Sequence, residues 1–170
     1  MFPPERIVEL PPSSDQSYWQ TLGPLPKAHD FFGDGSLFVV NAPGHLPGHI
    51  NLLARVGSEN WVYLGGDTAR DTGILDGTAQ VAVYVDKVTG CMRCAHADKE
   101  AAETHIRAVR ELKGYEHVEV ILAHDHQGLA ENEQRFKFAT YGCHSQVPLA
   151  TINRPRCRTL ALKVQIHLLA

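Results

Sequence analysis

No run of apolar residues in this 170-residue chain approaches the roughly 20 needed to cross a bilayer, so a membrane span is excluded. The longest mostly apolar stretches, such as 118–123, are far shorter. No apolar segment stands at the N-terminus, so no signal peptide is visible. Cysteine is scarce, with four in all (Cys91, Cys94, Cys143 and Cys157). Together these predict a reducing, cytoplasmic compartment in which thiols stay free, and they exclude a disulfide scaffold. A cationic excess is also missing. With 16 Lys and Arg against 19 Asp and Glu the net charge is −3, so no global positive field draws nucleic acid or an anionic membrane, and neither is expected as a partner. What remains is 44% hydrophobic and 21% charged, the composition of a soluble globular protein. Ten histidines stand out against it. Imidazole is the commonest nitrogen ligand for metals and the usual general base near neutral pH, so their spacing is the first thing to test.

The chain reads in three parts. Residues 1–30 form a proline-rich segment (Pro3, Pro4, Pro11, Pro12, Pro24, Pro26), extended and loop-rich rather than helical. Residues 31–138 carry the regular structure. The runs SLFVVN at 36–41, INLLARV at 50–56 and WVYL at 61–64 are short and β-rich, with hairpin chemistry at 57–60 between the last two. Asp98 starts the one strong helix, with Ala102, Ile106, Val109 and Leu112 or Lys113 on a common face and Gly114 as its stop. The strand HVEVILA at 117–123 follows, and its mostly apolar make-up suits a buried place in a sheet. Strands, helix and strand in this order predict an α/β layered domain. Residues 139–170 differ in kind: they hold four basic residues and no acidic one, and Leu160, Leu162, Val164, Ile166 and Leu168 alternate as in a half-buried strand.

The most informative segment is Pro43-Gly44-His45-Leu46-Pro47-Gly48-His49, flanked by strands. Prolines stiffen the path, glycines permit turns closed to other residues, and two imidazoles are presented from a rigid loop. Gly65-Gly66-Asp67 sets a carboxylate at the end of the next strand, and His124-Asp125-His126 ends the apolar strand. Three strand ends thus deliver His49, Asp67 and His124. Nitrogen and carboxylate donors with no thiolate suit Zn²⁺ or a related divalent transition metal better than Ca²⁺ or Mg²⁺.

In combination, FGDGSLFVVNAPGHLPGH, LGGD and LAHD resemble the metallo-β-lactamase superfamily, and most closely its lactonase-like hydrolase branch. The resemblance covers roughly residues 31–133. It implies half of a metallo-β-lactamase-type αββα sandwich, a mixed β-sheet with flanking helices. It also implies that His49, Asp67 and His124 are metal ligands, with Asp67 the carboxylate bridging two metals and the catalytic residue here. His45 matches an earlier loop histidine that is not usually a ligand, and Asp125 completes the family's His-Asp pair. The family's upstream His-x-His-x-Asp-His motif is absent; the sole His-x-His is His124 to His126, continued by Gly128 and Leu129.

The resemblance therefore implies a zinc-type hydrolase of a small ester or lactone, by metal-activated hydroxide, with a metal bound weakly by an incomplete ligand set. The other reading is a non-catalytic remnant: a pseudoenzyme that binds a partner, or a truncated gene product. Half a sandwich leaves an apolar sheet face to be covered by the proline-rich segment, the strand at 160–168 or a second copy of the chain. Cys91 and Cys94 read as free thiols ahead of the helix, since a redox pair needs its first thiol at a helix N-terminus. His96, His105, His117, His144 and His167 read as solvated or capping residues.

Overall fold

The computed structural model describes residues 9–125. The chain divides into two units, Met1–Glu133 and Gln134–Ala170, and the described residues all lie in the first. The expectations for His126, Cys143, Cys157 and the alternating segment 160–168 fall outside the described residues.

Among the described residues, six strands make one mixed sheet. β1 (Gln20–Leu22), β2 (Leu25–Asp30), β3 (Leu37–Asn41), β4 (Ile50–Arg55) and β5 (Trp61–Gly66) follow one another as an antiparallel meander. β8 (Val118–Leu122) then adds parallel to β5. Between β5 and β8 lie the short helix α1 (Thr72–Asp76), a hairpin of β6 (Val83–Val85) and β7 (Met92–Cys94), and the helix α2 (Lys99–Lys113). The α/β class expected from the order of elements is what forms, a mixed sheet with flanking helices.

Two strands lie in the stretch that reads as proline-rich loop. Gly23 takes φ +54° in a two-residue turn, which brings Leu22 opposite Leu25. Pro26 lacks a backbone donor, yet β2 pairs with β3 only from Ala28 onward, so no bond to β3 is lost there. The β4–β5 hairpin closes through Asn60, whose carbonyl accepts from the Val56 amide at 2.9 Å and the Gly57 amide at 3.3 Å.

The Asp98 carboxylate caps α2 by accepting from the Ala101 amide at 3.0 Å. At the other end Gly114 is right-handed at φ −74°, so α2 stops without the left-handed turn that a terminal glycine usually supplies. α2 buries Ala102, His105, Ile106, Val109 and Leu112. Its apolar residues pack on Leu25, Val40, Leu53, Tyr63 and Leu122 of the sheet, and Leu75 of α1 closes the same core. Ala102, Ile106, Val109 and Leu112 form the face the helical period predicts; His105 joins them.

Candidate metal centre

The loop 42–49 is held at both ends. The Ala42 amide donates to the His49 carbonyl at 3.0 Å, and the His49 amide donates to that of Leu46 at 3.1 Å. In the middle, the Gly44 and His45 carbonyls accept from the Asp98 and Ala97 amides, each at 2.9 Å, which docks the loop onto the start of α2. Gly44 has φ +117°, and a Cβ there would overlap the Ala102 backbone, so this contact requires glycine.

His49 Nδ1 stands 3.1 Å from the Ala42 carbonyl, which can only accept, so Nδ1 carries the proton and Nε2 is left with a free lone pair. Partial burial pushes the His49 pKa down, which favours the neutral ring that a metal requires. Nε2 lies against Gly66, where a Cβ would come within 3.3 Å.

Asp67 sits in a turn closed by the Thr68 amide donating to the Gly65 carbonyl at 2.9 Å, with Gly66 at φ +49°. The neighbouring strand end is tied to this turn. The Ala123 amide donates to the Gly66 carbonyl at 2.9 Å, and His124 follows immediately. As a result Asp67 Oδ1 lies 3.0 Å from His124 Nε2, while Oδ2 lies 3.7 Å from His45 Nε2. The His45 ring also packs edge-on against His49 at 5.3 Å and His96 at 5.6 Å. The Nδ1 atoms of His45 and His96 are buried with no hydrogen-bond partner among the described residues, so those rings lack the restraint that fixes His49.

Of the three expected ligands, then, Asp67 and His124 meet directly and His49 stands beside them against Gly66. The donor types are those of a zinc-type site. The number falls short, because among the described residues no group of three or more His, Cys, Asp or Glu is disposed to hold an ion. The thiols stand apart from this chemistry. Cys91 and Cys94 are free, and the Cys94 thiol donates to the His96 carbonyl at 3.2 Å, ahead of α2 as the sequence suggests.

No family model matches the chain. It is 34% identical over 111 residues to the cytochrome P450 monooxygenase mpaDE' of Penicillium brevicompactum, covering 58% of this chain and 13% of that protein. It is 45% identical over 49 residues to the gamma-lactamase FDB1 of Fusarium pseudograminearum (strain CS3096), 28% of this chain and 12% of that one. It is 28% identical over 126 residues to the metallo-hydrolase mfmC of Annulohypoxylon moriforme, 58% of this chain and 33% of that one. Over up to 58% of its length, the chain is thus similar to proteins that include a gamma-lactamase and a metallo-hydrolase. A solved N-acyl homoserine lactone hydrolase with its product bound at the catalytic metal centre aligns with TM-score 0.44 and 20% identity, over 57% of this chain and 34% of that one. The chain spans between 12% and 33% of the length of these three curated relatives.

The reading of His105 and His96 as solvated or capping residues is overturned, because the fold buries both beside the centre. His105 is 4% exposed and Asn51 1%, and with Tyr63 and Thr68 they form a buried polar cluster. Burial pushes the His105 pKa down to about 4 and that of Tyr63 up, so both are neutral. His96, at 9% exposure, is buried as well. Asn51 could have been noticed: it breaks the apolar run INLLARV at a position that, with Leu53, points to the core.

Proposed function

We propose that the chain carries part of the active centre of a metal-dependent hydrolase acting on a lactone or ester, with His49, Asp67 and His124 as donors to Zn²⁺ or another divalent transition ion. The observation that supports this most is the meeting of Asp67 and His124 at adjacent strand ends, with the free Nε2 of His49 against the same turn. His49, Asp67 and His124 would hold such an ion, which when bound would supply hydroxide at neutral pH and a Lewis acid for the carbonyl. The chain's own residues contribute a neutral imidazole oriented through the Ala42 carbonyl, a carboxylate on a tight turn, and a stiff loop anchored to α2. Asp67 turns both carboxylate oxygens toward imidazoles, His124 on one side and His45 on the other. Because donors are few among the described residues, the ion would bind weakly, with further ligands supplied by another copy of the chain or another polypeptide.

Calorimetric titration of the metal-free chain with zinc, followed by a lactone hydrolysis assay, tests the reading. Saturable zinc binding that Asp67→Ala abolishes supports it; no binding at millimolar zinc, and no effect of Asp67→Ala on any hydrolysis, would sink it. The second reading is a non-catalytic binding module, favoured by the lack of a three-donor group among the described residues. It predicts no turnover with or without zinc.

A further inference from the structure

Asn51 is the most thoroughly bonded side chain beside the centre. Its amide oxygen accepts from Thr68 Oγ1 at 2.6 Å, Tyr63 Oη at 2.9 Å and His105 Nε2 at 3.2 Å, while its NH₂ donates to the Ile50 and Gly65 carbonyls, each at 3.0 Å. Every donor and acceptor of the amide is then satisfied, as a group 1% exposed requires. Two of these partners matter most. Gly65 and Thr68 are the first and last residues of the turn that carries Asp67, and their own backbone bond closes it at 2.9 Å. Asn51 therefore grips that turn at both ends from within the core. It lies two residues beyond His49 on the same stretch of chain, so one amide couples the positions of two donors.

A purely structural polar cluster would bond wherever partners were available. Here the strong donors and acceptors converge on the two ends of a four-residue turn, and the anchoring partners, Tyr63 on β5 and His105 on α2, belong to the rigid core. Coupling a donor to a packed core through one hydrogen-bonded side chain is the usual means by which outer residues set ligand geometry. We propose that Asn51 is a positioning residue, holding the Asp67 turn in register with His49 through Gly65 and Thr68. The proposal rests on the reading of Asp67 as a donor, but its geometric part can be tested without any metal.

The experiment combines amide hydrogen exchange of the metal-free 170-residue chain with Co²⁺ titration, in wild type, Asn51→Ala, Thr68→Val and Thr68→Ser. In Asn51→Ala and Thr68→Val the Thr68 amide is expected to exchange roughly tenfold faster, while those of Val40 and Val109 are unchanged. Thr68→Ser keeps the hydroxyl and restores wild-type exchange. Co²⁺ affinity is expected to fall about tenfold in the first two variants and to recover in Thr68→Ser. Thr68 exchange at the wild-type rate in a folded Asn51→Ala or Thr68→Val chain overturns the positioning role. Should Asn51→Ala not fold, the Thr68 pair decides alone. If wild type binds no Co²⁺, the metal reading fails while the exchange result still decides the positioning.

Discussion

Asp67 Oδ1 and His124 Nε2 lie 3.0 Å apart although they stand 57 positions apart in sequence, because β5 and β8 run parallel and end side by side. Parallel pairing puts both C-terminal strand ends at one edge of the sheet, where open α/β sheets commonly bind ligands. The register shift between Leu64 and Gly66 frees the last residues of β5 to turn, and the Ala123 amide then locks the two ends together.

If that edge takes a metal, zinc stabilises the fold by mass action. Zinc at about 100 times its dissociation constant should add about 2.7 kcal/mol, read as a rise in the urea midpoint that EDTA reverses. Asp67→Ala should remove the shift. An unchanged midpoint at millimolar zinc would count against the site.

Stability should fall in mild acid because of His105. Its pKa of about 4 in the folded chain lies below the 6.5 of an ordinary histidine, so between those values the unfolded chain binds a proton that the folded chain does not. The contribution is fully present above pH 6.5 and is lost progressively as pH drops toward 4, at most on the order of 3 kcal/mol. Burial of His49 and His96 acts in the same direction. Urea denaturation at pH 7 and pH 5 measures it, and His105→Gln should flatten the dependence. Equal slopes in wild type and variant would refute the assignment.

Gly44→Ala should be among the more damaging changes outside the core. The added methyl meets the Ala102 backbone and the backbone is left-handed, so a loss of about 3 kcal/mol is expected. Gly33→Ala is the control: it shares a positive φ but meets nothing within 4 Å, and should cost about 1 kcal/mol. Similar losses in the two would mean that the loop does not depend on its contact with α2.

Arg110 joins α2 to α1. Its guanidinium donates to the Leu75 carbonyl at 2.5 Å and the Ile74 carbonyl at 3.2 Å, satisfying groups at the end of a one-turn helix. Arg110→Ala should cost about 1–2 kcal/mol in chemical denaturation. The neighbouring Lys113–Asp76 ion pair is exposed on both sides, so Lys113→Ala should cost less than about 0.5 kcal/mol. The reverse order would mean that charge rather than capping holds the two helices together.

The elements with a strong period were legible from the chain. Apolar β-rich runs located β3, β4, β5 and β8, and the Asp98 cap with its four apolar positions located α2. β1 and β2 were hidden because Pro24 and Pro26 signal loop, and only the register shows that Pro26 precedes the pairing of β2 with β3. α1 is too short for a period to register; its signals are the Asp71 cap and Gly77 at φ +81°.

Local chain chemistry sets which residues stand ready at strand ends: a stiff loop bearing His45 and His49, an Asp67 that follows two glycines, and His124 behind an apolar strand. Chain chemistry suffices there, because proline, glycine and hydropathy act locally. Which of them meet was decided only by the tertiary structure, since the approach of Asp67 to His124 depends on parallel pairing between strands remote in sequence. The same holds for His105, a polar residue on a helix whose burial depends on the neighbours the fold brings to it. Asn51, Tyr63 and Thr68 supply hydrogen bonds that no spacing along the chain reveals.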